Sequence, residues 1–288
     1  MTPRPTTALP GLTASPIAFA GEPGAFAEDA VVAAFGESAP RLPVGGFREV
    51  FEAVTSGVAA SGVVPIENLV NGSVREVYDL LLEHELQITA EVVVPVDLCL
   101  AALPGRTLDD VQRVYSHIQA LGQAERFLRT RPWALLTTYN TAGAGKFIRD
   151  QADPAAAAVL SRRAAHAYGL DVLAGSIQDV PDNRTRFLVI APPGAVPDPV
   201  DRAFRTTIAF GVRNEPGTLL AALQVIAARS INLSKLESRP SRAAAWEYVF
   251  WADLDAHRDE PDCAAALEEL DSVATMVRVL GTYPRAAN

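Results

Sequence analysis

The hexapeptide Asp-Asn-Arg-Thr-Arg-Phe at 182–187 sets the hydroxyl of Thr185 between two guanidiniums, Arg184 and Arg186, just ahead of the apolar run FLVIA. Arginines beside a buried strand are costly unless they stay hydrated or meet an anion. The spacing therefore reads either as an anion-binding site with a hydroxyl at its centre or as a polar turn before a strand. Four further places carry polar residues where a strand passes into a turn or helix. In AGEPGAFAE (20–28), glycines flank Pro23, and backbone N–H groups there are free to cradle an anion. In VPIENLVNGSV (64–74), Glu67 and Asn68 follow an apolar strand, and Ser73 is placed to cap the helix after it. A carboxylate at a strand end in a cleft can serve as an acid. In YSHIQALGQ (115–123), Ser116 stands at an N-cap position beside His117, and Gln119 and Gln123 lie four apart on one helix face. In YNTAGAGK (139–146), Asn140 and Thr141 open a helix, whose first N–H groups attract a carboxylate without any cationic side chain.

Together these loops supply hydroxyls, amides, one carboxylate and arginines. No Cys/His metal cluster, P-loop lysine or G-x-S-x-G elbow accompanies them, and no spacing nominates a catalytic triad. The set suits an enzyme without metal or organic cofactor, acting on a small polyanion by positioning, proton donation and electrostatics. It suits a solute-binding protein nearly as well.

The elements that must hold these residues alternate. Strands are expected at 17–20, 61–66, 111–116 and 133–139, and helices at 24–35, 73–84, 118–130, 142–150 and 161–168. The stretch AAAAVL (155–160) reads as strand or helix, and the β-branched run 86–103 is divided by Pro95 into two strands. Strand–helix alternation argues for parallel sheets, here in two α/β lobes with a cleft at strand C-termini and helix N-termini. The expected first lobe is 16–94 plus 178–192 and the second 95–177, together a catalytic domain over 16–192. Residues 1–15 read as a loose Pro/Thr-rich tail, unlike a signal peptide. The Pro-rich 193–204 reads as a linker. Over 205–288 the order becomes β-α-β-β-α-β, a split βαβ module with a four-stranded antiparallel sheet. The fold class is thus α/β, a two-lobed periplasmic-binding-protein-like domain followed by an α+β ferredoxin-like module.

The chain has 288 residues, 49% of them hydrophobic, and a formal charge of -9, with Lys146 and Lys235 as its only lysines. That balance disfavours nucleic acid as a partner, and no apolar stretch is long enough to span a membrane. Cys99 and Cys263 are far apart in apolar runs, which fits a reducing cytoplasm better than a disulfide framework.

The ordered motifs PIEN…GSV…YDLLLEH, YSHIQALGQ, NTAGAGK and IQD…NRTRFLVI resemble the prephenate dehydratase family, and NEPGTLLAAL with KLESRP resembles the two binding motifs of an ACT regulatory module. The resemblance covers about 16–288. It implies decarboxylative dehydration of prephenate to phenylpyruvate, water and CO2 in L-phenylalanine biosynthesis, with no cofactor. By resemblance Thr185 is the catalytic hydroxyl, Arg186 or Arg184 holds a carboxylate, and Glu67 is a candidate relay behind Thr185. Asn68, Ser73, Ser116, Gln123 and Thr141 match substrate-binding positions. In the ACT module, Asn214, Gly217, Thr218 and Leu219 with Glu237, Ser238, Arg239 and Pro240 match the L-phenylalanine site. That module implies a homodimer, with dimers expected to pair into a homotetramer.

The sequence departs from the family pattern at Leu69, where a serine usually follows the Glu-Asn pair, and at Ile118, which replaces a proline. Ala25 stands where a hydroxyl residue is usual, and Thr218 replaces an alanine. The G-x-P-G-A loop resembles arogenate dehydratases, whose substrate carries an amine in place of the keto group. Arogenate turnover, or a catalytically impaired phenylalanine sensor, are the alternatives.

Overall fold

A computed structural model describes residues 15–194, 203–240 and 248–286. The expected tail (1–15) and linker (193–204) lie largely outside the described residues.

The elements run β1 (Ile17–Ala20), α1 (Phe26–Phe35), β2 (Arg41–Val44), α2 (Phe47–Thr55), β3 (Ser61–Asn68), β4 (Gly72–Ser73), α3 (Arg75–Glu83) and β5 (Gln87–Pro95). There follow β6 (Leu98–Ala102), β7 (Arg113–Ser116), α4 (Ile118–Gln123), α5 (Glu125–Leu128), β8 (Ala134–Thr137), α6 (Thr141–Gln151), β9 (Ala156–Ser161), α7 (Arg162–Ala167), β10 (Asp171–Ala174) and β11 (Arg184–Ala191). The chain ends with β12 (Phe204–Val212), α8 (Thr218–Ala227), β13 (Leu233–Pro240), β14 (Tyr248–Leu254), α9 (Pro261–Val273) and β15 (Met276–Pro284).

The chain packs as two compact units, residues 1–84 with 92–190, and residues 85–91 with 191–288. In the first, one sheet has the order β2-β1-β3-β11-β5, with β4 paired to β3, and a second has the order β10-β6-β9-β7-β8. The alternation predicted parallel sheets, but both are mixed. β1–β2 and β1–β3 are parallel, as are β7–β8 and β7–β9. β11 runs antiparallel to β3, and β6 antiparallel to β9 and β10. The reason is the route of the chain. β6 and β11 each follow a passage from one sheet to the other rather than a helical crossover, and only a crossover enforces parallel pairing.

Each sheet has its own core. Val50, Phe51 and Val54 of α2 are buried with Phe19 and Val63 of the first sheet. Around the second, Leu98, Leu100, Val114, Leu121, Leu128 and Val159 form one apolar cluster, and Cys99, Ala144, Ile148, Leu160 and Tyr168 another. α6 is rich in small residues, and its Ala142, Gly143, Ala144 and Gly145 are buried, which lets its backbone approach β9 closely.

The C-terminal unit contains the expected four-stranded antiparallel sheet, order β13-β14-β12-β15, with α8 and α9 in its core through Ala222, Val225, Ile226, Cys263, Ala266 and Leu270. Residues 85–91 join this unit. Glu91 pairs there with the buried Arg205 and accepts the Ala286 N–H at 2.9 Å.

Candidate active site

The carboxyl ends of β1, β2 and β3 lie at one edge of the first sheet, because the three strands are parallel. β11 returns antiparallel along β3 with Thr185 opposite Asn68 and Arg186 opposite Glu67. On the other side of β3, β4 sets Gly72 against Asn68 and Ser73 against Glu67. Register thus builds two adjacent rows, one of Gly72, Asn68 and Thr185, the other of Ser73, Glu67 and Arg186. Residues more than a hundred positions apart in sequence meet because two strands pair.

In the first row, Asn68 Nδ2 donates to Thr185 Oγ1 at 2.9 Å, to Asn183 Oδ1 at 2.9 Å and towards the Arg184 carbonyl at 3.1 Å. Asn68 Oδ1 accepts the N–H groups of Val70 and Asn71 at 3.0 and 2.9 Å. In the second row, Arg186 Nε lies 2.6 Å from Glu67 Oε1, with the guanidinium side chain only 10% exposed. Arg184 is far more exposed and meets the carboxylate of Asp182 at 2.8 Å. Ser73 was expected to cap α3; the N-cap is Val74, which has no side-chain oxygen, and Ser73 belongs to β4.

The second sheet presents an equivalent edge. β7, β8 and β9 are parallel, with Ser116 level with Thr137, so α4, α6 and α7 all begin at the same side. The sequence predicts Ser116 as the cap of α4, but it is buried and its Oγ donates to the Val159 carbonyl at 2.6 Å. His117 is the cap, its Nδ1 accepting the Gln119 N–H. Asn140 caps α6 through its Oδ1 to the Gly143 N–H at 2.5 Å, leaving Thr141 as the first helical residue. A Cβ at Gly143 would come within 2.5 Å of the Tyr139 ring and 2.8 Å of the Asn140 side chain, so a larger residue there would have to displace the exposed Tyr139 ring. The carbonyl of Gln123 accepts the Asp179 N–H at 2.6 Å, tying the end of α4 to the segment that leads into β11.

The two polar edges meet. Glu22, from the loop after β1, accepts Tyr139 Oη–H at 3.0 Å and lies 3.4 Å from Lys146 Nζ on α6. Burial, then the bond to Glu22, pushes the Tyr139 hydroxyl above its ordinary pKa. Ser161 Oγ donates to the Gly24 carbonyl at 2.6 Å while accepting the Ala164 N–H at 3.0 Å. Arg163 of α7 spans the side chains of Asp29 and Glu37. Of the residues expected from sequence, β3, β4 and β11 gather Thr185, Glu67, Asn68, Ser73, Arg184 and Arg186. Ser116 and Thr141 stand at the second sheet's edge, and Gln123 at the far end of α4. Asn183, Glu22 and Lys146 were not expected there. Asn183 lies within residues 182–187, but its contact with Asn68 depends on strand register. Among the described residues no group of three or more His, Cys, Asp or Glu side chains is arranged to hold a metal ion.

In the C-terminal unit, Arg213 and Asn214 follow β12, and Gly217 sits in a left-handed conformation (φ 90°) that starts α8. Thr218 Oγ1 donates within its own turn, with the Arg213 carbonyl at 2.6 Å and that of Glu215 at 2.9 Å. The hydroxyl replacing the usual alanine therefore closes the loop locally. Val212 and Pro240 both lie opposite Tyr248, so the 214–219 loop and the end of Glu237–Pro240 occupy the same end of the sheet. Leu219 packs against the module's core.

These features define a class: a two-lobed α/β unit whose polar groups collect at the carboxyl ends of parallel strands, with a β-α-β-β-α-β module appended. Comparison with known proteins narrows it. The prephenate dehydratase family matches residues 17–195 and the ACT domain residues 206–272. A bifunctional chorismate mutase/prephenate dehydratase of Aquifex aeolicus is 40% identical over 94% of this chain and 74% of its own. The chloroplastic arogenate dehydratase/prephenate dehydratase 1 of Arabidopsis thaliana is 39% identical over 93% and 71%. The prephenate dehydratase of Arthrobacter aurescens in complex with L-Phe superposes with a TM-score of 0.87 at 33% identity, covering 94% of this chain and 90% of that one. GqqA, described as a novel type of quorum quenching acylase, gives the same TM-score at 32% identity over 94% and 98%. The chain belongs to the prephenate dehydratase family and carries a C-terminal ACT domain.

Proposed function

We propose that the chain is a carbon–oxygen lyase that converts prephenate to phenylpyruvate, water and CO2, and that L-phenylalanine bound to the ACT domain regulates it. A shared fold does not fix an activity, so the reading rests on the site. The observation that carries it is the bond from Asn68 Nδ2 to Thr185 Oγ1. A hydroxyl that accepts an N–H keeps its own hydrogen to donate. Thr185 then donates towards the departing 4-hydroxyl of prephenate. As that C–O bond breaks, the C–C bond to the ring carboxylate also breaks. Its electron pair completes the aromatic ring, and CO2 leaves. The hydroxide departs as water, with a proton delivered through Thr185. A positioned proton donor contributes about 10²–10⁴-fold.

The arginines divide the remaining work. Glu67 engages Arg186 and so serves to hold it, while Arg184, whose ion-pair partner among the described residues is the exposed Asp182, is available to a substrate carboxylate. The capped start of α6 at Thr141 offers backbone N–H groups to the second carboxylate. Arogenate is the second reading, favoured by Glu22, whose carboxylate beside α6 suits an ammonium group.

The unpaired, buried Cys99 and Cys263 fit a reducing compartment. β13 ends the sheet order, so pairing of two ACT domains along it builds a dimer, and dimers pair into a tetramer. The deciding experiment follows phenylpyruvate formation from prephenate, with and without L-phenylalanine. Turnover that phenylalanine alters supports both assignments. Turnover of arogenate alone selects the second reading, and inactivity on both substrates overturns the enzymatic one.

A further inference from the structure

Asn183 is 1% exposed, and every group on it has a fixed direction. Its N–H donates to the Val180 carbonyl at 3.2 Å, and its carbonyl accepts the Val96 N–H at 2.8 Å, which anchors it to the passage between the two sheets. Its side-chain Oδ1 accepts from Asn68 Nδ2 at 2.9 Å. The orientation of both amides follows without ambiguity. Two backbone N–H groups point at Asn68 Oδ1, so the Asn68 NH2 faces Asn183 and Thr185. Asn183 must answer with its oxygen, and its own Nδ2 is left buried without a hydrogen-bond partner among the described residues. A buried donor in that state is unfavourable and persists only where the rest of the structure demands it.

The Asn68 NH2 has two hydrogens and faces three acceptors, of which the Arg184 carbonyl is the most distant and already accepts the Leu69 N–H at 3.0 Å. One hydrogen therefore goes to Asn183 Oδ1 and the other to Thr185 Oγ1. Without the Asn183 oxygen, the NH2 group can swing to the Arg184 carbonyl, and the hydrogen bond on Thr185 loses its fixed direction. We propose that Asn183 is a positioning residue for the Thr185 hydroxyl, acting through the Asn68 carboxamide. The unsatisfied Nδ2 is the consequence of turning the oxygen towards Asn68. This inference rests on the dehydratase reading above.

The test is a double-mutant cycle on the full chain, with kcat, KM and thermal stability measured for prephenate and for arogenate. Asn183→Ala is expected to lower kcat by about tenfold to a hundredfold, a part of the ~10²–10⁴ that a positioned acid supplies, with KM within about threefold of wild type. In an Asn68→Ala background, Asn183→Ala is expected to change kcat less than about twofold, because its effect runs through Asn68. Asn183→Asp keeps an oxygen facing Asn68 in either protonation state and is expected to hold kcat about tenfold above Asn183→Ala. An active wild type with an unaffected Asn183→Ala overturns the role. So does an Asn183→Ala effect that multiplies fully with Asn68→Ala, or one that Asn183→Asp fails to rescue. If Asn183→Ala does not fold, the gap between wild type and Asn183→Asp decides: a fall in kcat beyond about tenfold at unchanged KM overturns the role. Wild-type inactivity on both substrates overturns the dehydratase reading, and the role of Asn183 with it.

Discussion

Thr185 makes one side-chain hydrogen bond to Asn68 and is only partly buried, so its hydroxyl contributes little to folding and its chemistry can be tested cleanly. Thr185→Ala is expected to reduce kcat by about 10²–10⁴-fold and to change the unfolding free energy by no more than a surface substitution does, within about 0.5 kcal/mol. Thr185→Ser keeps the hydroxyl and should retain most of kcat. A Thr185→Ala enzyme with more than a third of wild-type kcat ends the assignment. At this scale the sequence was informative where residue type alone carries meaning. A threonine between arginines and a Glu-Asn pair after a strand are visible without any structure. Caps were harder, because Ser116 and His117 both stand at the end of β7, and burial decides between them. Strand alternation turns Ser116 inward to the Val159 carbonyl and leaves His117 at the helix start. Asn183 was out of reach, since its meaning comes from pairing with a strand 115 residues away.

The elements bring the two polar edges together at a few points, and Gly24 is the tightest. Its φ of +88° is a left-handed conformation, and a Cβ there would lie 2.3 Å from the Ala164 Cα of α7. Gly24→Ala therefore has to separate the first loop from α7. We expect it to cost about 1–3 kcal/mol in chemical denaturation and to raise KM through displacement of Glu22, whereas Gly36→Ala, with the same φ and open space around it, should leave KM unchanged. Capping gives a second, smaller test: Asn140→Ala removes the bond to Gly143 and should cost about 1 kcal/mol. A third concerns acid. The Asp153 carboxyl is held below its ordinary 3.8, first by the Ala155 N–H and then by Arg113. A lowered carboxyl pKa contributes stability above its unfolded value that disappears as pH falls through the folded one. Asp153→Asn should thus lower Tm at pH 7, and the difference should shrink as pH falls from 7 through the ordinary carboxylate range and below it; a difference that does not change with pH would remove the charge from the explanation. Most elements and their order were legible from hydrophobic period and from Pro95, but β2, α2 and β4 were not expected: β2 is a short strand at the end of the sheet order that carries Pro43, and β4 is only two residues long. Strand direction was not legible, because alternation cannot distinguish a crossover helix from a chain that has changed sheets.

At the scale of the whole molecule, two units with separate cores are joined in one chain, and residues 85–91 belong by packing to the C-terminal unit although they precede most of the first in sequence. No hydrophobic pattern marks that exchange; within the unit Glu91 meets Arg205, both buried, where each charge requires the other. The ACT domain sets its 214–219 loop and the Glu237–Pro240 strand end at one end of its sheet. A ligand that binds the folded state alone stabilises it by RT ln(1 + [L]/Kd), about 2.7 kcal/mol at a hundredfold excess over Kd. L-phenylalanine should therefore raise Tm progressively with concentration, by several degrees, while L-alanine at equal concentration should not. Control of turnover demands more than binding: the effector must favour one of two states by its differential affinity. The same titration, read as kcat and KM for prephenate, separates the cases. A Tm rise with altered kinetics makes the ACT domain a regulator. A Tm rise with unchanged kinetics leaves a bound ligand without coupling. No rise, in a chain that sediments as a dimer, reduces the module to an assembly domain and withdraws Asn214, Gly217 and Glu237–Pro240 as an effector site.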